Sequence, residues 1–364
     1  MVTTYTPWTT GDGTIILTYT GQGNGTITVS STTDNNSADA RSQVITVSGG
    51  GITRQVTVTQ EGKSYSQQYL TFIAKVNGTF KLTQNAVDYS LDGGSTWTTL
   101  AANTDSPTVS AGSKIMWRGS LTPVTTYGIG TFSSSGGFDV EGNVMSLLFG
   151  DNFSNQLSLN GKEWAFKSLF SQCNVVNAEN LVLPATTLSR YCYMGMFASC
   201  ANLEKTPKVL PATTCASDCY RNMFGRCSKI TSSPTINATT LAEYCYAYMF
   251  SDCSALGIAP NLPSTTLATG CYTNMFQYCT SLFFSPILPA TTLVNGCYEQ
   301  MFYNCSHLIT VAALFTTTPN SSYTSNWLYG VDPDGFFYKN PNATWSVSGA
   351  DGVPSGWTVI DYEG

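Results

Sequence analysis

Cys192-Tyr193-Met194-Gly195-Met196-Phe197-Ala198-Ser199-Cys200 is one of five copies of C-Y-x-x-M-F-x-x-C, and its recurrence decides the fold. The others run from Cys219 to Cys227, Cys245 to Cys253, Cys271 to Cys279 and Cys297 to Cys305. The closing cysteines are spaced by 27, 26, 26 and 26 residues. A worn copy comes first, with Phe166, Phe170 and Cys173 in register. Between copies runs Leu-Pro-Ala-Thr-Thr, at Leu183 to Thr187, Leu210 to Thr214 and Leu288 to Thr292, with variants at Leu262 to Thr266 and Asn237 to Thr240. A fixed period of this length marks a repeat array, in which one unit cannot bury its apolar face alone and stacked units can.

Within a copy, Cys192, Met196 and Cys200 fall at i, i+4 and i+8. That spacing predicts one face of a short helix or helical turn. Leu203 and the Pro-bounded segment after it read as a short extended stretch. The whole predicts a solenoid of about six coils over residues 160–314. The order F-x-x-C-x-x-L, seen at Phe276 to Leu282 and, with Ile230 as its last residue, at Phe224 to Ile230, resembles the BspA-like leucine-rich repeats of Bacteroidetes and other host-associated microbes. The resemblance implies an α/β leucine-rich-repeat-like solenoid. Here the period is longer than that family's commonest form.

Upstream, apolar and polar residues alternate between Gly-rich turns over residues 1–63. Strands are predicted at Thr14 to Tyr19, Thr26 to Val29, Val44 to Val47 and Gln55 to Thr59, with Gly49-Gly50-Gly51 turning the last two into a hairpin. The stretch from Asn24 to Gly62 resembles the closing half of BACON domains, immunoglobulin-like modules of Bacteroidetes and their phages that are suspected of binding carbohydrate. The opening strands of that family are short or missing here. Residues 66–153 form a second β-segment, a β-sandwich-like domain with strands at Tyr69 to Ala74, Phe80 to Leu82, Val87 to Ser90, Lys114 to Trp117 and Phe138 to Val140. It contains Ser90-Leu91-Asp92-Gly93-Gly94-Ser95-Thr96-Trp97, an Asp box: the carboxylate accepts turn amides, the glycines take the turn angles and the tryptophan packs beneath. Sialidases carry this pattern together with an arginine cluster and a tyrosine nucleophile. With six arginines in the chain, the box reads as a folding element.

Residues 315–364 leave the period. Trp327, Phe336, Phe337, Tyr338, Trp345 and Trp357 read as a C-terminal cap over the last coil, with a sugar-stacking platform as the alternative. The expected architecture is thus multidomain: N-terminal all-β immunoglobulin-like modules followed by an α/β leucine-rich-repeat-like solenoid.

Charge is sparse, 10% of residues against roughly 25% in ordinary domains, and the net charge is −6. The scattered lysines and arginines offer no phosphate-binding run, which argues against nucleic acid. No stretch approaches the roughly 18 apolar residues of a membrane span, so no membrane insertion is expected. Met1-Val2-Thr3-Thr4-Tyr5 has neither a basic nor an apolar leader region, and the first basic residue is Arg41. Two origins fit: a product of the cytosol assembled into a particle, or a mature secreted protein.

Of twelve cysteines, ten occupy the two repeating columns, Cys173 belongs to the worn copy, and Cys215 stands outside. C-x₇-C is not zinc spacing, and Cys215 with Cys219 makes a single C-x₃-C pair. They read as columns of free, buried thiols acting as small hydrophobes, with disulfides between coils as the alternative. No metal and no cofactor are expected. The one histidine, His307, follows Cys305 in a variable slot filled elsewhere by Asn202, Lys229, Ala255 and Ser281, so a Cys-His nucleophile pair is a poorer account than a surface histidine beside a core cysteine. Glu204, Asp218, Glu243, Asp252 and Glu299 are spread over different repeats without a glycosidase-like pairing. No enzyme is expected.

The positions that vary between copies are free to bind. Among them Tyr248, Tyr278 and Tyr303 form a candidate ligand-binding aromatic stripe suited to sugars or a protein partner. The expected function is a phage virion structural protein, of fibre or decoration type, located at the virion surface. Its expected partners are other virion proteins, a second copy of itself, and a host-surface glycan or protein. The alternative is a secreted or lipid-anchored Bacteroidetes adhesin at the cell surface, binding host mucin or protein.

Overall fold

The computed structural model describes residues 15–20, 26–31, 41–49, 52–60, 65–124 and 128–363. The chain divides into two compact units, Met1–Tyr65 and Ser66–Gly364. In the first, Ile15–Thr20 pairs antiparallel with Thr26–Ser31, and Arg41–Gly49 with Ile52–Gln60, Gly49 facing Ile52. These hairpins are two separate two-stranded sheets, so the immunoglobulin-like module expected there is not what the described strands show. Gly50 and Gly51 of the predicted turn, Thr14, and Met1 to Tyr5 lie outside the described residues.

The second unit opens with a six-stranded sheet in the order Val175–Val182, Phe138–Asn143, Leu70–Ala74, Lys114–Arg118, Val87–Ser90, Thr98–Leu100. Val175–Val182 belongs to the first coil of the solenoid and pairs parallel with Phe138–Asn143, so sheet and solenoid share one edge. Their cores also join. Phe72 packs on Phe80, Trp117, Phe132 and Phe138 and reaches Phe170 of the first coil at 5.8 Å. Phe132 in turn stacks on Phe170 at 6.0 Å and starts the phenylalanine column that runs through the coils. The open first coil is therefore covered by the sheet.

The Asp box forms the turn between Val87–Ser90 and Thr98–Leu100, strands that pair antiparallel. Asp92 Oδ1 accepts the Ser90 hydroxyl at 2.7 Å and the Thr96 amide at 2.9 Å, and Oδ2 accepts the Thr96 hydroxyl at 2.6 Å. Gly93 and Gly94 take φ of 76° and 90°, which the turn requires. These hydrogen bonds hold the Asp92 carboxyl down at about 2.

The C-terminal part is a β-solenoid of stacked coils, and the α/β expectation is corrected. The C-Y-x-x-M-F-x-x-C segments are chains of tight turns rather than helix; the only α-helix among the described residues is Ser146–Phe149, ahead of the coils. Two hydrogen-bond patterns alternate. Met194, Met196, Ala198 and Cys200 donate to carbonyls three residues back. Tyr193, Gly195, Phe197 and Ser199 instead donate to Cys219, Arg221, Met223 and Gly225 of the next coil. Alternate amides thus close local turns and knit neighbours together. Such a chain needs a left-handed residue every fourth position, and in this copy those are Tyr191, Gly195 and Ser199, with φ of 60–61°. A four-residue turn repeat and a 3.6-residue helix give the same i, i+4, i+8 buried face, which is why the helical expectation failed.

The repeat-invariant side chains of the C-Y-x-x-M-F-x-x-C segments point inward. The Cys, Tyr, Met, Phe, Cys and Leu or Ile columns, from Cys192 to Leu308, are buried. The tyrosines from Tyr193 to Tyr298 stack at 5.5–6.0 Å with planes within 2–9° of parallel. The phenylalanines from Phe170 to Phe302 stack at 5.2–5.7 Å. Each ring pair adds roughly 0.5–1.5 kcal/mol beyond its burial. The second cysteine column has a further role: Cys200, Cys227, Cys253, Cys279 and Cys305 each donate a thiol hydrogen bond to the phenylalanine carbonyl of the preceding coil, at 2.8–3.1 Å. Alanine would fill less space and lose this inter-coil donor.

The Leu-Pro-Ala-Thr-Thr corners put Leu and Ala inside and leave the threonines outside. Thr239 and Thr240 both donate backbone bonds to Thr213 of the previous corner. The remaining side carries short extended pieces in several coils, with parallel pairs such as Val209–Leu210 with Thr235–Ile236.

Residues 315–364 keep the ladder although their sequence leaves the period. Phe302 and Asn304 donate to Trp327 and Tyr329, and Phe284–Leu288, Thr310–Ala313, Phe336–Lys339 and Thr358–Asp361 form a four-stranded parallel sheet. Trp327, Trp345 and Trp357 are buried, and their indole N–H groups donate to the carbonyls of Gly352, Phe315 and Asp332. Trp345 and Trp357, with most of each ring covered, also line a pocket of about 350 Å³.

Candidate binding surface

The apolar columns face inward, so the solenoid's outer surface is made by the invariant corner threonines and by the turn positions that vary between copies. These include the left-handed columns. One column reads Ser168, Gly195, Asn222, Tyr248, Asn274, Gln300, Asn326, and the next reads Gln172, Ser199, Arg226, Asp252, Tyr278, Asn304, Gly330. Gly and Asn suit such φ values, whereas a bulky side chain costs on the order of 1 kcal/mol there. Tyr248 at φ 60° and Tyr278 at φ 59° are therefore held against the local backbone preference.

The three predicted tyrosines do not form one stripe. Tyr278 and Tyr303 meet edge-to-face at 5.7 Å, and Tyr303 stacks on Tyr329 at 5.1 Å. Tyr278 and Tyr329 are 39% and 51% exposed, which leaves ring area open to a ligand. Tyr248 instead joins a groove one side along, with a cavity volume of about 430 Å³. Met194, Ser199, Arg221, Asn222, Arg226, Tyr248, Ser251, Asp252 and Gln277 line it.

Sequence reasoning missed Tyr329, which stands outside the period, and it did not single out Arg221 and Arg226. Both arginines lie at the variable positions of the second copy; their convergence with a tyrosine one coil on becomes visible only from the stacking. Arg221 is anchored: its Nη1 donates to Asp218 Oδ1 at 3.1 Å, and Arg190 Nε lies 3.6 Å from Asp218 Oδ2. Asp218 itself is buried, so the pair of arginines compensates its charge. The Arg221 guanidinium also stands 5.7 and 5.8 Å from the rings of Tyr244 and Tyr248, within cation–π range. Arg226 is exposed, and no ion pair to it occurs among the described residues.

The residues that invited catalytic readings are placed otherwise. Cys305 is buried, its thiol pushed up to about 12 by desolvation and donated to the Phe276 carbonyl. His307 Nδ1 is bonded to the Thr280 carbonyl instead of a thiol. All twelve cysteines are free and buried, and among the described residues no group of three or more His, Cys, Asp or Glu is placed to hold a metal ion. Among them, too, no helix is long and apolar enough to cross a membrane. Compared with family models, curated proteins and solved structures, the chain matches none, so the BACON-like and BspA-like resemblances rest on the quoted residues alone.

Proposed function

We propose that this chain is a non-catalytic display scaffold whose solenoid binds glycans of a host cell surface through its outward turns. The observation that carries the reading is the division of labour within each coil. Six side chains per copy repeat because they build the core, while aromatic and polar groups vary at the outward turns, Tyr191, Tyr244, Tyr248 and Tyr278 among them kept at left-handed positions that favour Gly or Asn. Local strain retained in exposed aromatic residues is a reason to look for a ligand there. Tyrosine faces beside Asn, Gln and Asp side chains suit sugar rings and hydroxyls.

The setting we propose is the particle of a phage infecting Bacteroidetes. There the protein serves as a virion structural component of fibre or decoration type, with its N-terminal BACON-like segment used for attachment or spacing. The sparse charge, the Thr, Ser and Asn-rich surface and the BACON-like stretch from Asn24 to Gly62 support this. The test has two arms. The whole chain applied to an array of host-surface glycans is expected to bind a defined subset, and no binding would refute the glycan reading. Mass spectrometry of purified virions is expected to find the protein; its absence there, with presence in a bacterial surface fraction, would move it to the adhesin class.

A further inference from the structure

We infer that the groove around Arg221, Arg226 and Tyr248 takes a carboxylate-bearing sugar, a uronic or sialic acid residue of an acidic glycan; this rests on the glycan-binding reading above. Two of the six arginines of a chain with net charge −6 converge on this one groove. A guanidinium presents a planar fork of donors matched to a carboxylate. Arg221 is oriented before any ligand arrives, because Asp218 holds its Nη1 and two tyrosine rings flank it. Arg226 has its fork uncommitted to any ion pair among the described residues.

The charge balance sets the valence of the ligand. Of the residues lining the groove, Arg221 and Arg226 stand against Asp252, two positive groups against one negative, while Arg190 and Asp218 pair behind Arg221. A single carboxylate fits that surplus, whereas a polyanion such as nucleic acid does not. Tyr248 supplies a ring face for the sugar, and Ser199, Asn222, Gln277 and Asp252 supply donors and acceptors for its hydroxyls. A cavity of about 430 Å³ is of ligand-binding size.

The test uses the whole chain in titration calorimetry with two matched pairs of probes. Sialyllactose is compared with lactose, and trigalacturonic acid with its neutral carboxyl-reduced counterpart. One acidic member or both should bind roughly ten-fold or more tightly than the neutral partner, and the arm that does so identifies the source of the carboxylate. Arg226→Gln should erase that preference. Gln172 already occupies the same left-handed column at φ 60°, so the variant keeps the coil. Arg221→Lys, which keeps the charge beside Asp218 but not the fork, should weaken the acid and spare the neutral sugar. Equal affinity for both members of each pair, or acid binding untouched by both variants, would overturn the inference. Sugar binding without acid preference that is lost in Tyr278→Ala/Tyr303→Ala would leave the glycan reading standing and this one refuted. Binding of none of the four probes would overturn this inference, and the array then decides the broader reading on its own.

Discussion

Raising the pH should dismantle the solenoid through its own core. Burial pushes the thiols of Cys192 and Cys305 up to about 12 and that of Cys297 up to about 11, from an ordinary value of 9.0. A group whose folded pKa is raised gives stability that is fully present below its unfolded value and is lost as pH climbs toward the folded one. The window therefore opens near pH 9 and extends to pH 11–12. Each pH unit costs about 1.4 kcal/mol per thiol, so at about pH 10.5 these three remove on the order of 6 kcal/mol. That is comparable with the whole stability of an ordinary domain, roughly 5–15 kcal/mol. Tyr193, Tyr220, Tyr246, Tyr272 and Tyr298, also raised by desolvation, push the same way. The assay is urea unfolding followed by circular dichroism at pH 8.5 and about pH 10.5, with thiol reactivity measured alongside. The midpoint should fall steeply, and thiols unreactive at the lower pH should become reactive as the coils open. An unchanged midpoint, or thiols that react fully at pH 8.5 in the native protein, would refute the buried columns.

Three other substitutions or titrations follow from the geometry. Cys253→Ala deletes the buried thiol that donates to the Phe224 carbonyl at 3.1 Å, and urea unfolding should show a loss of about 2 kcal/mol from the cavity and the lost donor. Gly270→Ala places a Cβ 2.2 Å from Tyr244 at φ 59°, and thermal melting should drop by an amount equivalent to roughly 1–2 kcal/mol. The Asp92 carboxyl, tied by Thr96 and Ser90, should titrate by NMR at about 2, so the order it gives its turn is present at neutral pH and lost as pH falls toward that value.

Much of the solenoid can be read directly from the repeat. Cys192, Tyr193, Met196, Phe197, Cys200 and Leu203 sit in the register their spacing implies, and Phe166, Phe170 and Cys173 do form a first coil. What spacing alone missed was backbone conformation. Its signal was present in the other residues: Gly195, Asp218, Asn222, Asp252, Gly270, Asn274, Gly296, Asn304 and Gly330 recur at multiples of four within their coils, and Gly, Asn and Asp are the residues that tolerate left-handed φ. A helix has no need of such residues at that interval. The continuation past residue 315 was hidden for another reason. Trp327 replaces a smaller column residue and its indole bonds to Gly352, so the ladder is kept by backbone pairing while the side-chain pattern changes. The candidate surface was half legible. Variable positions pointed outward, but which of them meet depends on the stacking, which separates Tyr248 from Tyr303 and brings Tyr248 to Arg221.

The most direct test of a scaffold whose columns fold it and whose outward turns bind is to measure affinity and melting together on Tyr278→Ala/Tyr303→Ala. The rings lie outside the core, so the melting temperature should stay within a few degrees of the parent while affinity for the array-selected glycan falls at least ten-fold. Undiminished affinity, or loss of binding only together with loss of the fold, would contradict it.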